Sequence, residues 1–196
     1  MLKIGITGGI GSGKTTICRV FKTLGIPVFY ADTTAKELMI SDQILVDGVK
    51  AEFGAASYTE TGLLNNKHIA SIVFENKLEL EKLNALVHPA VFRAFDKWVA
   101  TIPKSVPYVL KEAALLFESG SYQMSDQTIL VTAPLDVKLN RVMQRDGVTK
   151  EQVLARMDKQ LTDEQKIKMA DHFIENNENT SIILQVMNLH QQFLLQ

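Results

Sequence analysis

The chain has 196 residues, the size of one compact domain or of one core with insertions. Apolar residues make up 46% and charged residues 22% of the sequence, a composition that excludes a disordered chain. Because 21 basic residues face 22 acidic ones, the net charge is −1 and the diffuse positive field of a non-specific nucleic-acid binder is absent. Any anion site must therefore be local.

The compartment is predicted from cysteine content and hydropathy. Cys18 is the one cysteine of the sequence, so an intrachain disulfide is impossible, which fits a reducing compartment. Apolar runs stay well short of the ~20 residues of a membrane span, and residues 1–7 are too short for a signal peptide. We therefore expect a cytoplasmic protein without nucleic-acid or membrane partners, present as a monomer or a weak homo-oligomer.

The first 30 residues predict a strand, a helix and a second strand. Residues 2–7 form a short apolar run, and a glycine-rich loop follows at residues 8–13. The next apolar residues have the i, i+3, i+4, i+7 spacing of a helix that ends at Gly25, namely Ile17, Val20, Phe21 and Leu24. Residues 26–30 predict the second strand. This βαβ arrangement favours a parallel sheet.

The segment 33–100 is predicted to be mostly helical. A capping-box pattern over residues 34–37 predicts a helix start at Thr34, and an apolar stripe from Leu80 ends at His88. Pro89 is expected to open the next helix, because proline is favoured at the first helical position.

The remaining sequence predicts a return to the α/β core. Strands are expected at residues 108–110, 128–131 and 173–174, helices at 135–146 and 182–193, and capping boxes at Thr149 and Thr162. The predicted organisation is an α/β core with one helical insertion and a second helical segment.

One motif carries a specific chemistry. Residues 8–15, Gly-Gly-Ile-Gly-Ser-Gly-Lys-Thr, match the phosphate-loop pattern G-x-x-x-x-G-K-[ST] between a predicted strand and a predicted helix. Glycines let backbone N–H groups surround a phosphate, and the following helix presents its positive end to the same anion. The candidate nucleotide-binding residues are Gly9, Gly11, Ser12, Gly13, Lys14, Thr15 and Thr16. Lys14 can reach the β- and γ-phosphates, and the Thr15 hydroxyl can bind Mg²⁺.

Two carboxylates follow predicted strands. Asp32 comes directly after the second strand and could accept the proton of an attacking hydroxyl, or it could be the N-cap of the next helix, an alternative that the pattern at Thr34 weakens. Glu112 lies just past the strand at residues 108–110 and is equally well a Mg²⁺ ligand or a surface acid. Glu118 is a weaker candidate for the metal.

A basic helix face predicts a lid over the phosphates. Lys138, Arg141 and Arg145 are spaced i, i+3, i+7, and an apolar stripe opposite them contains Leu135, Leu139 and Val142. Such a face is usually solvated. Beside a phosphate loop, however, it favours Arg141 and Arg145 as groups that clamp the transferring phosphate, whereas the role of Lys138 stays open.

Several segments together resemble the dephospho-coenzyme A kinase family. They are residues 6–15, 31–35 (Ala-Asp-Thr-Thr-Ala), 87–89 (Val-His-Pro), 115–118 (Leu-Leu-Phe-Glu), 141–147, Gln160 and 170–171, with Asn176 after them. The resemblance implies transfer of the γ-phosphoryl group of ATP, with Mg²⁺, to the ribose 3′-hydroxyl of dephospho-CoA. It also implies a P-loop kinase core at residues 1–32, 101–136 and 171–196, an acceptor-binding insertion at 33–100 and a lid at 137–170.

The same resemblance implies roles for single residues. Asp32 would be the base, and Lys14, Thr7 and Arg141 would complete the catalytic group. Ala113-Ala114 departs from the family pattern, in which a proline often precedes Leu-Leu, and Glu112 fits the acid two residues before that proline. Two alternatives stay open at this point: a kinase for another small acceptor, such as a nucleoside monophosphate, and a nucleotide-dependent switch.

Overall fold

A parallel sheet is the framework of the fold, in a computed structural model that describes residues 1–74, 76–177 and 179–196. Glu75 and Glu178, which fall in the predicted insertion and core ranges, lie outside the described residues. The order within the described sheet is β2-β3-β1-β4-β5, and its strands are β1 (Leu2–Gly8), β2 (Val28–Tyr30), β3 (Tyr108–Glu112), β4 (Gln127–Thr132) and β5 (His172–Glu175). All neighbouring pairs are parallel, so their carboxyl ends share one edge. The predicted α/β fold with a parallel sheet is confirmed.

The helices belong to two compact units, one of Met1–Tyr30 with Ile102–Gln196 and the other of Ala31–Thr101. The α-helices of the described residues are α1 (Lys14–Thr23), α2 (Ala31–Ser41), α3 (Gln43–Phe53), α4 (Asn66–Val73), α5 (Lys77–Thr101), α6 (Leu135–Asp146), α7 (Lys150–Met157), α8 (Asp163–Ile167) and α9 (Ile182–Leu194). Short 3₁₀ turns occupy Ala55–Ser57 and Ser121–Met124. We call Ala31–Thr101 the helical unit and the rest the sheet unit. The roles expected for these segments stay predictions.

The core of the sheet unit lies between β1, β3, β4 and the helices α1 and α9. Ile4, Ile6, Ile17 and Phe21 are fully buried there. The ring of Tyr108 meets Phe21 edge-on, and its hydroxyl is hydrogen-bonded to Nδ1 of His190 at 2.6 Å. Burying aromatic and branched side chains of this size contributes about 1.5–3 kcal/mol each, so this face holds α1 firmly on the sheet.

The helical unit has its own apolar core. Its buried members come from α2, α3, α4, α5 and the turn between α3 and α4, namely Met39, Leu45, Val46, Val49, Phe53, Tyr58, Ile69 and Ala90. The Tyr58 hydroxyl donates to the carbonyl oxygen of Met39 at 2.7 Å, so the one polar atom of that buried ring is satisfied.

Two sequence predictions of local structure are wrong. Pro89 lies inside α5 and does not start a new helix, because the apolar stripe Leu83, Val87, Ala90 keeps its helical spacing through the proline. Helix α2 begins at the buried Ala31, so Thr34 is inside it and caps nothing. The capping boxes at Thr149 and Thr162 are confirmed.

Strand lengths differ from the predictions at two places. The N–H of Ile26 donates to the carbonyl of Phe21 at 3.2 Å and so closes the end of α1, which leaves β2 only three residues. Strand β3 runs on to Glu112, and Glu112 is therefore its last residue.

Among the described residues, no helix combines the length and the apolar character needed to cross a bilayer.

Candidate active site

The phosphate loop (residues 8–15) connects β1 to α1 at the carboxyl edge of the sheet. Gly11 and Gly13 have φ angles of +80° and +91°, which favour glycine. A Cβ on Gly11 would lie 2.5 Å from the carbonyl oxygen of Lys138. The loop therefore packs directly on the backbone of α6, and a side chain at Gly11 would force the two apart.

The first turn of α1 faces the same loop. Gly13 is its N-cap, and the fully described turn contains no acidic side chain that would occupy the helix N-terminus. The Lys14 Nζ donates to the carbonyl oxygen of Gly8 at 2.9 Å, which brings the ammonium back to the start of the loop. Thr15 and Thr16 are exposed at the same turn. Backbone N–H groups, a helix N-terminus and a lysine are together suited to bind an anion here.

Two further predicted residues stand at the end of the central strands. Thr7 is buried, and its Oγ1 donates to the carbonyl oxygen of Ala114 at 3.4 Å. Glu112 is only 8% exposed and lies beside Ile6 in the β1–β3 pairing. A carboxylate with this burial is not the ordinary surface acid that the sequence left as an alternative.

The charges of Glu112 and Lys14 both shift the pKa of the Cys18 thiol. Cys18 lies one helical turn after Lys14 in α1. Burial is the main cause that raises the pKa of Cys18 far above its usual value; the charge of Glu112 raises it further and that of Lys14 lowers it. The thiol of Cys18 is therefore within electrostatic reach of both a carboxylate and an ammonium.

The described residues contain no cluster of three or more side chains of the kinds His, Cys, Asp and Glu that could hold a metal ion. Mg²⁺ does not need one, because it is usually bound through one or two carboxylates or hydroxyls together with substrate phosphates and water. Glu112 at the strand end and the hydroxyl of Thr15 supply oxygen atoms of the kind that this ion prefers.

Arg141 contacts the residue that follows β5. Its Nη2 donates to the backbone oxygen and to Oδ1 of Asn176, both at 3.4 Å. Its Nη1 is buried without a hydrogen-bond partner among the described residues. The Nδ2 of Asn176 donates in turn to the carbonyl oxygen of Ser12 at 2.8 Å. Arg141 is therefore connected to the phosphate loop through one amide.

The other basic residues of α6 have different surroundings. Lys138 is buried and forms an ion pair with Asp163 at 2.6 Å, against Gly9 of the loop. Arg145 is 63% exposed, and its guanidinium binds the carboxylate of Asp146 with two hydrogen bonds. The hydrogen bond from Arg145 is the main cause that lowers the pKa of Asp146. Leu135, expected in the apolar stripe, is 54% exposed, whereas Leu139 and Val142 are buried.

The segment after α7 reaches the loop through Gln160. Its Oε1 accepts a hydrogen bond from the backbone N–H of Ile10 at 3.0 Å, and its Nε2 donates to the carbonyl oxygen of Ala114 at 3.5 Å. The sequence offered Gln160 only as part of a resemblance, because glutamine has no spacing rule that marks such a contact. A cavity of about 570 Å³ lies beside these contacts, lined by residues that include Gly9, Leu135 and Met157.

Glu118, the weaker metal candidate, has a structural partner. Its Oε1 accepts from the backbone N–H of Leu161 and forms an ion pair with the fully buried Lys166, both at 2.9 Å. These contacts tie α8 and the turn before it to the chain that follows β3, and they leave Glu118 a poor choice as metal ligand.

Asp32 belongs to the helical unit. It lies in the first turn of α2, exposed, and follows the end of β2 by two residues. The N-cap alternative is wrong, since α2 starts one residue before it. A carboxylate in the first turn of a helix interacts favourably with the helix dipole.

Comparisons with known proteins agree on one family. The family model for dephospho-CoA kinase matches residues 2–181. A dephospho-CoA kinase of Salinibacter ruber is 42% identical over 178 residues, which cover 90% of this chain and 89% of that protein. Among solved structures, TT1252 from Thermus thermophilus has a TM-score of 0.86 at 32% identity, and a dephospho-CoA kinase from Campylobacter jejuni has 0.70 at 26% identity; each match covers 97% of this chain and 96% of the other. A family match over almost the whole length, on a sheet whose carboxyl edge carries the phosphate loop, means that the chain belongs to the dephospho-CoA kinase family.

Proposed function

We propose that the chain transfers the γ-phosphoryl group of ATP to the ribose 3′-hydroxyl of dephospho-CoA, which gives coenzyme A and ADP, the last step of coenzyme A synthesis. As a member of its family the chain is a phosphotransferase that uses ATP and acts on a hydroxyl group. The observation that carries the proposal is the phosphate loop, with Lys14 across it, in a chain of this family. A nucleoside monophosphate acceptor and a non-kinase switch are not favoured.

The reaction exchanges one oxygen–phosphorus bond for another. The acceptor oxygen bonds to the γ-phosphorus, the bond from that phosphorus to the bridging oxygen of ADP breaks, and the hydroxyl proton passes to a base. We assign the base to Asp32, whose exposed carboxylate follows the end of β2 by two residues. The loop N–H groups and Lys14 bind the phosphates of ATP and neutralise their charge.

Arg141 stabilises the charge that spreads over the transferring group. Its buried Nη1 has no partner among the described residues, so a phosphate oxygen would meet an unsatisfied donor. Arg145 has a secondary part, because it must leave Asp146 before it can reach a phosphate. Thr7 has a supporting role in this proposal: its hydroxyl donates a hydrogen bond to the carbonyl oxygen of Ala114.

Mg²⁺ would be held by the hydroxyl of Thr15, by phosphate oxygens and by Glu112, directly or through water. The ion supplies neutralisation of the β- and γ-phosphate charge. The segment 33–100 binds the acceptor in this proposal, and the segment 137–170, the lid segment, excludes water that would otherwise hydrolyse ATP.

Acceptor-dependent turnover tests the function directly. ADP formation is measured with ATP and Mg²⁺ alone and then with dephospho-CoA, AMP or CMP, and the product of the dephospho-CoA reaction is identified by mass spectrometry. We expect rapid ADP formation, and coenzyme A, only with dephospho-CoA. Equal rates with AMP or CMP would indicate another small-molecule kinase, and acceptor-independent hydrolysis would indicate a switch.

A further inference from the structure

The backbone of Asn176 is held by the sheet, and its side chain contacts the phosphate loop. It is the first residue after β5, and its backbone N–H donates to the carbonyl oxygen of Thr132 at 2.8 Å, which continues the β4–β5 pairing. The residue is only 9% exposed. Its Cα position is thus set by the strands, and the amide is held at a fixed distance from the loop.

The amide nitrogen of Asn176 orients one peptide of the loop. It donates to the carbonyl oxygen of Ser12 at 2.8 Å. In a trans peptide the C=O and N–H bonds point in opposite directions, so the N–H of Gly13 is directed away from Asn176. A Cβ on Gly13 would overlap Nδ2 of Asn176. Gly13 is therefore needed for this contact as well as for its positive φ.

The amide oxygen of Asn176 faces Arg141. Nη2 of Arg141 is shared between Oδ1 and the backbone oxygen of Asn176 at 3.4 Å, distances at the long end for hydrogen bonds. Nη1 of Arg141 lies 3.7 Å from the position that a Cβ of Gly13 would take. One nitrogen of the guanidinium is thus held by Asn176, and the other lies against the loop without a partner among the described residues.

The geometry points to Asn176 as a positioning residue for phosphoryl transfer: its amide sets the Ser12–Gly13 peptide and the Arg141 guanidinium relative to each other. The inference rests on the proposed function. An amide is suited to this place because it donates to a carbonyl and accepts from a guanidinium at once. An aspartate could only accept, so it would hold Arg141 in an ion pair and leave the Ser12 carbonyl without its donor.

The contacts predict two separable kinetic effects. Through Arg141, Asn176→Ala should lower kcat about 10-fold or more, because misplacing a group that stabilises the transition state costs this much. Through the loop peptide, it should also raise the KM for ATP and weaken ATP binding. In Asn176→Asp both effects should persist, since the carboxylate restrains Arg141 and cannot donate to Ser12.

The test compares wild type, Asn176→Ala, Asn176→Asp, Arg141→Ala and the Asn176→Ala/Arg141→Ala double variant, with Asn188→Ala as the control. Asn188 is an exposed asparagine of α9. We measure kcat and KM for ATP, ATP binding by titration calorimetry, and the melting temperature. The double variant should have the kcat of Arg141→Ala, within about twofold, and keep the weaker ATP binding of Asn176→Ala.

Other outcomes overturn the inference. Losses of kcat that multiply in the double variant mean that Asn176 acts independently of Arg141. Unchanged kcat and ATP binding in Asn176→Ala, with or without a lower melting temperature, leave the residue a purely structural part of the turn. A wild type without dephospho-CoA-dependent turnover refutes the proposed function instead, and in that case ATP binding by Asn176→Ala still decides the part that concerns the loop.

Discussion

The sheet unit and the helical unit hold their charged groups in different ways. Two ion pairs described in the sheet unit are buried: the side chain of Lys166 is fully buried against Glu118, and Lys138 is mostly buried against Asp163 beside Gly9 of the phosphate loop. Exposed pairs in this unit, those of Arg145 and Arg156 with Asp146, lie at the end of α6. The ion pairs of the helical unit are largely exposed, as in the pair of Lys82 with Glu52.

Buried pairs fix geometry, because they are costly to separate, whereas exposed pairs contribute about 0–1 kcal/mol each. The difference suggests that the sheet unit is preorganised for chemistry. In the helical unit, stability comes mainly from apolar packing, as the cluster around Val49 and Phe53 indicates. Substitutions of charged groups should therefore lower turnover in the first unit and cost modest stability in the second.

The largest effect is expected for Lys14→Ala. Removal of the ammonium that lies across the loop should lower acceptor-dependent kcat by about 10³-fold, as for other groups that stabilise transition-state charge. Lys22→Ala removes an exposed lysine of the same helix and is the control. Initial-rate kinetics measure the effect, and circular dichroism checks the fold. Wild-type turnover in a folded Lys14→Ala protein would contradict the assignment of the phosphate loop.

The two arginines of α6 sharpen the contrast between buried and exposed charge. Arg141→Ala should lower kcat by about 10²-fold or more, and Arg141→Lys should recover only part of it, because an ammonium lacks the planar fork. Arg145→Ala should lower kcat less than tenfold, a loss below about 1.4 kcal/mol, since Arg145 is exposed and bound to Asp146. Steady-state kinetics on the three variants measure this difference. Equal kcat values for all of them and wild type would remove the lid proposal.

Asp32→Asn tests the limit of the comparison between the two units. The proposed base is an exposed residue of the helical unit, yet its substitution should lower turnover. The amide keeps the shape of the side chain but cannot accept the proton, so kcat should fall about 10²-fold while ATP binding changes little. Glu37→Gln, another exposed acid of α2, is the control. Kinetics and ATP titration check the prediction, and unchanged kcat would assign the base to another residue.

The smallest effect concerns the stability of the helical unit. Asp42 is the N-cap of α3. The hydrogen bond from the backbone N–H of Leu45 is the main cause that lowers the pKa of Asp42, and the hydrogen bond and charge of Arg93 lower it further. Its contribution is therefore present above the unfolded pKa of about 3.9 and is lost as the pH falls through the lower folded value. Asp42→Ala should cost about 1 kcal/mol near pH 7, or roughly 2–4 °C in Tm.

Thermal melts of wild type, Asp42→Ala and the control Asp47→Ala, taken from pH 7 down to pH 2, measure this cost. The gap between wild type and Asp42→Ala should close at the acid end. A gap that is independent of pH would show that the side chain acts by packing and not as a charged cap.

The sequence predicted those parts that follow local rules. The loop at residues 8–15, the caps at Thr149 and Thr162 and the positions of the strands along the chain all depend on short patterns. Pro89 misled the prediction, because a proline signals a helix end locally but tertiary packing keeps α5 intact.

Contacts between distant segments were beyond sequence reasoning. Gln160 meets Ile10 across 150 residues, and Asn176 meets Ser12 across 164. Side-chain amides have no periodicity or spacing that would predict such partners. The burial of Lys138 was missed for a related reason, since a lysine on a basic face is expected in solvent until Asp163 is found beside it.

Labelling of Cys18 can measure how often α1, the helix after the phosphate loop, separates from the sheet. The chain's one cysteine is buried where α1 meets the sheet, and burial raises the pKa of its thiol, so a thiol reagent meets neither an accessible atom nor a thiolate. Each labelling event must wait until α1 leaves the sheet. The rate of modification therefore measures that local unfolding. On the proposed function, ATP bound at the phosphate loop should lower this rate as its occupancy rises.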